Sequence, residues 1–167
     1  ISLPAMMPQD WEELLVGIEE KADYIAASFI RTADEVQEIR AFLQKHKSTM
    51  RIVTKIETRQ AVENIDAIVE ASDAIMVARG DLGSELPFEQ IPAVQNDLVE
   101  RCHRVGKPVI VATHMLESMV ENPTPTRAEV TDVAYAGMTR ADSTMLSGET
   151  AAGKHPLLAG EAMDKIL

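Results

Sequence analysis

The chain has a single cysteine, Cys102, in 167 residues. It can form no internal disulfide, so the fold must rest on an apolar core, and a reducing, cytoplasmic setting is the expectation. Cys102 itself reads as a half-buried helix residue. Aromatic residues make up only 4%. Basic residues are outnumbered, 16 Lys and Arg against 27 Asp and Glu, for a net charge of −11. That balance excludes non-specific binding to nucleic acid or to an anionic membrane, both of which need basic surface, but leaves room for a local basic pocket. No stretch approaches the roughly 20 apolar residues of a membrane span. The opening "ISLPAMMPQDWEE" has no basic segment followed by an apolar run, so it does not read as a signal peptide. The chain does not begin with Met, and its final "EAMDKIL" stops inside an apparent helix, which reads as part of a longer protein. Neither G-x-G-x-x-G after a strand nor G-x-x-x-x-G-K-[ST] occurs, so dinucleotide and P-loop readings lack support. The four histidines, at 46, 103, 114 and 155, have no zinc-ligand spacing.

What is present is a globular composition, 46% hydrophobic and 26% charged, at the length of one domain. Five apolar runs recur: "DYIAASFI" (23–30), "RIVTKIE" (51–57), "AIMVARG" (74–80), "PVIVATHML" (108–116) and "STMLSGET" (143–150). They are near-continuously apolar, as expected of strands covered on both faces. Helical patterns lie between them: Trp11, Leu14, Leu15 and Ile18; Val36, Ile39 and Leu43; Ala61, Ile65, Ile68 and Val69. Thr32 with Glu35, and Thr126 with Glu129, have capping-box spacing. The alternation predicts parallel βα units. A five-stranded doubly wound sheet fits the length outright, whereas an eight-unit barrel needs about 250 residues, so the chain would hold about five of eight units.

The strand ends favour the barrel. Lys55 and Glu57, Arg79 to Asp81, Thr113 and His114, and Ser147 and Glu149 close four of the runs; Ser28 and Arg31 close the remaining one more weakly. A barrel opens every strand's C-terminal end onto one mouth, while an open sheet concentrates function at its switch point. Lys55 and Glu57, two apart on a strand, point the same way. They read either as an ion pair or as a functional set, the carboxylate for a hard divalent cation and the ammonium for charge on a reacting group. Asp81 offers a second carboxylate suited to Mg²⁺, and Gly80 permits close backbone approach to an anion. The alternative there is a Gly-rich loop with an N-capping Asp. Thr113 could bind substrate, relay a proton or be a purely structural strand-end residue, and Ser147 and Glu149 could hold a water or serve as turn and cap.

In order and in register, "TKIET", "MVARGDLG", "KPVIVATxMLESM", "PTPTRAEVxDVA" and "MLSGETAAGxHP" resemble the pyruvate kinase family over nearly the whole chain, from the third barrel helix through the eighth strand. The resemblance implies that residues 1–167 are part of a catalytic (β/α)8 barrel, without the family's lid and C-terminal regulatory domains. It implies reversible phosphoryl transfer from phosphoenolpyruvate to ADP, giving pyruvate and ATP, with Mg²⁺ or Mn²⁺, K⁺ ligands outside this chain, and a homotetramer when full length. By position, Lys55 stabilises the transferring phosphoryl group and Glu57 and Asp81 ligate the divalent ion. Backbone around Ala78, Arg79, Gly80 and Asp81 holds the substrate carboxylate, and Thr113 lies beside the reacting carbon. Ser147 and Glu149 organise a proton-relay water, Ser28 contacts the phosphoryl side, and Arg79 and residues 125–129 lie near a subunit interface. The segment alone is expected to be inactive. His114 replaces the family's Gln or Asn, which reads as tuning of the interface or of pH response; Arg140 replaces a Gly and Tyr135 an Asn, both off the proposed site. Two other readings remain open: a Mg²⁺-dependent aldolase or lyase barrel acting on pyruvate or phosphoenolpyruvate, and a non-catalytic assembly module.

Overall fold

The computed structural model describes residues 4–167; Ile1 to Leu3, the start of the N-terminal stretch and of the 1–167 barrel segment read above, lie outside them. In chain order the elements are α1 (Pro8–Glu19), β1 (Tyr24–Ala27), α2 (Ala33–Lys45), β2 (Arg51–Ile56), α3 (Arg59–Glu63), α4 (Ile65–Ala71), β3 (Ala74–Ala78) and α5 (Arg79–Glu85). There follow α6 (Ile91–Arg104), β4 (Val109–Ala112), α7 (Arg127–Met138), β5 (Ser143–Met145), α8 (Gly148–Ala151) and α9 (Pro156–Ile166). Every strand pairs in parallel with the next, in the order β1-β2-β3-β4-β5. A doubly wound sheet reverses its order at a switch point; this one never does, which decides for the partial barrel.

The pleat divides the strands between two apolar groups. Ile52, Ile56, Ile75, Val77, Val109 and Val111 face the helices, with Val36, Ile39, Ile68 and Leu98 in the same cluster. Val53, Ala74, Met76 and Ala112 form a smaller cluster on the opposite face, flanked by Ile110 and Met145. That second face is the inner wall, and it carries Lys55 two residues beyond Val53. The accessible surface is 9587 Å². A folded protein of 18.3 kDa ordinarily exposes about 8,100 Å², and the thinly covered inner wall is consistent with the excess.

Aspartates just before two strands stitch the N-terminal rim. Asp73 accepts the Ile52 N–H at 2.8 Å and Asp142 the Val109 N–H at 2.9 Å, each joining the strand it precedes to that strand's neighbour. Both expected capping boxes form, at Thr32 with Glu35 and at Thr126 with Glu129. Three expectations are corrected. The strands stop sooner than the apolar runs, at Ala27, Ile56, Ala78, Ala112 and Met145, because the polar ends turn into loops and short helices. The helix read over Ala61 to Val69 is broken at Asn64, the C-cap of α3 and N-cap of α4. Cys102 is fully buried, on the face of α6 that carries Leu98 and Val99. Burial pushes its thiol up to about 12.

Candidate active site

The C-terminal rim is built from side chains that reach between neighbouring units. On β2, Lys55 extends along the inner wall and its ammonium donates to Ser28 Oγ, at the end of β1, at 2.9 Å. The same nitrogen lies 2.5 Å from Glu57 Oε1. Glu57 is fully buried; its Oε2 accepts the Phe29 N–H at 2.7 Å, which holds Phe29 at φ +54°. Oε1 faces the Lys55 ammonium and, among the described residues, no other partner. A buried carboxylate oxygen in that condition is costly unless a cation satisfies it. The lysine supplies one charge, and the free lone pairs suit a divalent ion as well.

In the β2–β3 register Ile56 pairs with Val77, so Glu57 is level with Ala78, and Asp81 follows three residues on. Asp81 is exposed in the first turn of α5. Among the described residues no group of three or more His, Cys, Asp or Glu could hold a metal by itself. An ion held by Glu57 and Asp81 would therefore take its other ligands from substrate oxygens and water, which is how Mg²⁺ usually sits in phosphoryl-transfer sites. The donor set, two carboxylates with lone pairs to spare, fits such an ion.

At the end of β4 the backbone is strained: Thr113 and His114 adopt φ +70° and +53° in succession, a region costly for a β-branched residue. The Thr113 hydroxyl accepts the Gly80 N–H at 2.7 Å and donates to Ala112 O at 2.6 Å. A Cβ on Gly80 would stand 3.4 Å from that hydroxyl. The Arg79 guanidinium turns away from the inner wall to Thr113 O, Gln95 and Asp132. His114 is exposed.

Beyond β5, Ser147 caps α8 and its N–H donates to Glu149 Oε2 at 2.7 Å. Glu149 is fully buried, and its Oε1 accepts the Leu116 N–H at 3.0 Å. Its two oxygens thus tie the β4 loop to the β5 loop. Gly153 is required by space: a Cβ there would lie 2.3 Å from Glu149 O. A cavity of about 720 Å³ along β1 reaches Ser28 but none of Lys55, Asp81 and Thr113.

The structure therefore brings Ser28, Lys55 and Glu57 into direct contact, and joins Gly80 to Thr113 and Ser147 to Glu149. Asp81 lies on the same rim. The reading from sequence missed Gln95, Asp132 and Leu116 as partners of site residues. Asp132 was visible within the "PTRAEVxDVA" motif, whereas Gln95 and a backbone N–H carry no sequence signal.

With this arrangement established, comparison with known proteins is decisive. The model of the pyruvate kinase barrel domain matches residues 1–159. The chain belongs to that family. It is 53% identical to the pyruvate kinase of Sporosarcina psychrophila over 167 residues, 99% of this chain and 28% of the relative. It is 54% identical to pyruvate kinase 1 of Trypanosoma brucei brucei over 156 residues, 93% of this chain and 31% of the relative. With the chloroplastic pyruvate kinase isozyme G of Ricinus communis the identity is 47% over 164 residues, 98% of this chain and 39% of the relative. The chain thus spans about three-tenths of the length of the first two and two-fifths of the third. Among the described residues no helix is long and apolar enough to cross a membrane.

Proposed function

We propose that this barrel segment carries part of the active site of a cytoplasmic pyruvate kinase, which transfers a phosphoryl group between phosphoenolpyruvate and ADP. The observation that carries the reading is the Lys55–Glu57 pair on the inner wall. An ammonium 24% exposed meets a carboxylate with no exposure at all, at the rim where barrel strands present their chemistry. Family membership supports the same conclusion. Phosphoryl transfer asks for positioning and charge neutralisation more than for covalent help. Lys55, oriented by Ser28, neutralises the transferring phosphoryl oxygens. Glu57 and Asp81 hold Mg²⁺ or Mn²⁺, which when bound screens the phosphoryl and enolate oxygens. Backbone at Ala78, Gly80 and Asp81 receives the substrate carboxylate, which then shares the Gly80 N–H with the Thr113 hydroxyl. Thr113 stands on the side where the enolate takes a proton, and Ser147 with Glu149 orders the water that delivers it. K⁺ ligands and most ADP contacts come from parts of the protein outside this chain, and the intact enzyme is a homotetramer.

The test is Lys55→Met in the full-length protein, with ATP formation and C–C bond cleavage both assayed. Loss of nearly all ATP formation is expected, together with weaker Mn²⁺ binding, followed by electron paramagnetic resonance, in Asp81→Asn. Wild-type ATP formation in the Lys55 variant refutes the reading, and C–C cleavage by the wild type would move the protein to an aldolase or lyase.

A further inference from the structure

We propose that Arg79 is a positioning residue for proton transfer, holding the Thr113 hydroxyl in place without touching substrate; this rests on the reading of Thr113 given above. The Arg79 side chain is only 9% exposed, and its guanidinium has five N–H donors to place. Nε and Nη2 both donate to Thr113 O, at 3.2 and 2.7 Å. Nη1 donates to Asp132 Oδ1 at 2.8 Å and to Gln95 Oε1 at 3.3 Å. The second Nη2 hydrogen faces Met115 Sδ at 2.9 Å. All five donors are thus spent within the protein, and none is left for a phosphate or a carboxylate. The interface role expected from the family stays compatible with Asp132, on α7.

The geometry also says what the network achieves. Thr113 and His114 lie in the left-handed region, which non-glycine residues leave readily unless the surroundings hold them. Arg79 grips the Thr113 carbonyl while the next residue, Gly80, grips the Thr113 hydroxyl through its N–H. The start of α5 therefore holds the residue that follows β4 at two points, its carbonyl and its hydroxyl. Asp132 fixes the guanidinium from α7 and Gln95 fixes it from α6. A lysine would keep the charge facing Asp132 but could not make the two-nitrogen grip on one carbonyl.

The experiment uses the full-length protein and its variants Arg79→Lys, Asp132→Asn and Thr113→Ala. Two rates are read: exchange of pyruvate methyl hydrogens with deuterated water, which reports proton transfer at carbon, and ATP formation with its KM for phosphoenolpyruvate. Displacement of a positioned group by about an ångström costs on the order of 100-fold, so Arg79→Lys should slow methyl exchange by about that factor. Its KM should stay within about threefold, because no ground-state contact is lost. In the Thr113→Ala background the same change should cost less than about twofold more, because both act through one hydroxyl. Asp132→Asn should slow exchange in the same direction by a smaller factor, and it carries the test if the Arg79 variant does not fold. Wild-type exchange in the folded variants overturns the proposal, as does an Arg79 effect that multiplies in full with Thr113→Ala. So does a raised KM at unchanged kcat, which would mean direct contact with substrate. If Lys55→Met abolishes ATP formation while Arg79→Lys exchanges normally, only the role of Arg79 fails. If Lys55→Met is fully active, the assigned function fails first.

Discussion

Replacing Arg140 by glycine should stabilise the end of α7, and the size of the effect can be worked out from the backbone. Four helices end in the same double hydrogen-bonded turn. Ala22, Ser48, Lys107 and Ala141 donate back to Gly17, Leu43, Cys102 and Ala136 at 2.9–3.0 Å, and the residue before each donates to Ile18, Gln44, His103 and Gly137. That preceding residue is left-handed in every case: Lys21 at φ +57°, Lys47 at +55°, Gly106 at +68° and Arg140 at +67°. Only one of the four is glycine, the residue this turn favours. A left-handed L-residue costs about 1–2 kcal/mol, and glycine gives back about 0.5–1 kcal/mol in unfolded-chain entropy. The net gain for glycine over alanine is about 0.5–1 kcal/mol, or about two- to fivefold in local opening. Comparison with Arg140→Ala removes the loss of charge at the helix C-terminus from the difference. The assay is amide hydrogen exchange in the full-length protein, read at the Ala141 N–H. Arg140→Gly should exchange about two- to fivefold more slowly than Arg140→Ala. Gly106→Ala should speed exchange at Lys107 by a similar factor; a Cβ there meets nothing within 4 Å, so only the dihedral angle is tested. Equal rates in the Arg140 pair, or no change in the Gly106 variant, would refute the reasoning.

Gly153→Ala should displace α8, since its Cβ would overlap Glu149 O at 2.3 Å. Hydrogen bonds to a charged group are worth about 1.5–3 kcal/mol each, so losing either from Glu149 should lower the melting temperature and abolish activity together; a normal melting temperature would contradict this. Glu129 is partly buried, which opposes its ionisation, yet hydrogen bonds from the Ser118 hydroxyl and N–H and from the Thr126 N–H and hydroxyl hold its pKa below the ordinary value. Its contribution is therefore complete above the unfolded glutamate pKa and is lost as pH falls through the lower folded value. Glu129→Gln should be less stable at neutral pH, with a difference from wild type that shrinks in acid; thermal melting against pH checks this. Cys102, buried with its thiol raised to about 12, should resist iodoacetamide at neutral pH in the folded protein and react only as denaturant unfolds it; native labelling would show the α6 face to be open.

The strands were legible because their inner and outer faces are both apolar, and the expected starts near 23, 51, 74, 108 and 143 lie within one residue of those observed. Their ends were not legible. Whether Arg79 continues a strand or opens a helix depends on Thr113 and Gln95, which come from other units. The break at Asn64 is equally silent, since the apolar spacing of Ala61, Ile65 and Ile68 runs straight across it. In the candidate site, Lys55 and Glu57 could be paired from their spacing alone. The hydroxyl of Thr113 meeting the N–H of Gly80 could not, because that contact depends on how β3 and β4 are aligned. Cys102 reads from sequence as half-buried, but α6 turns the polar Arg101 and His103 outward and the thiol inward.

The carboxylates of Glu57 and Glu149 each lean across a seam to hold the main chain of the preceding unit, at Phe29 and at Leu116. The loops after β1 and β4 are thus not shaped by their own residues alone. A graft that exchanged one of these loops for a foreign one would have to bring along the adjoining acid as well. New chemistry on this scaffold is therefore most accessible through changes made two units at a time.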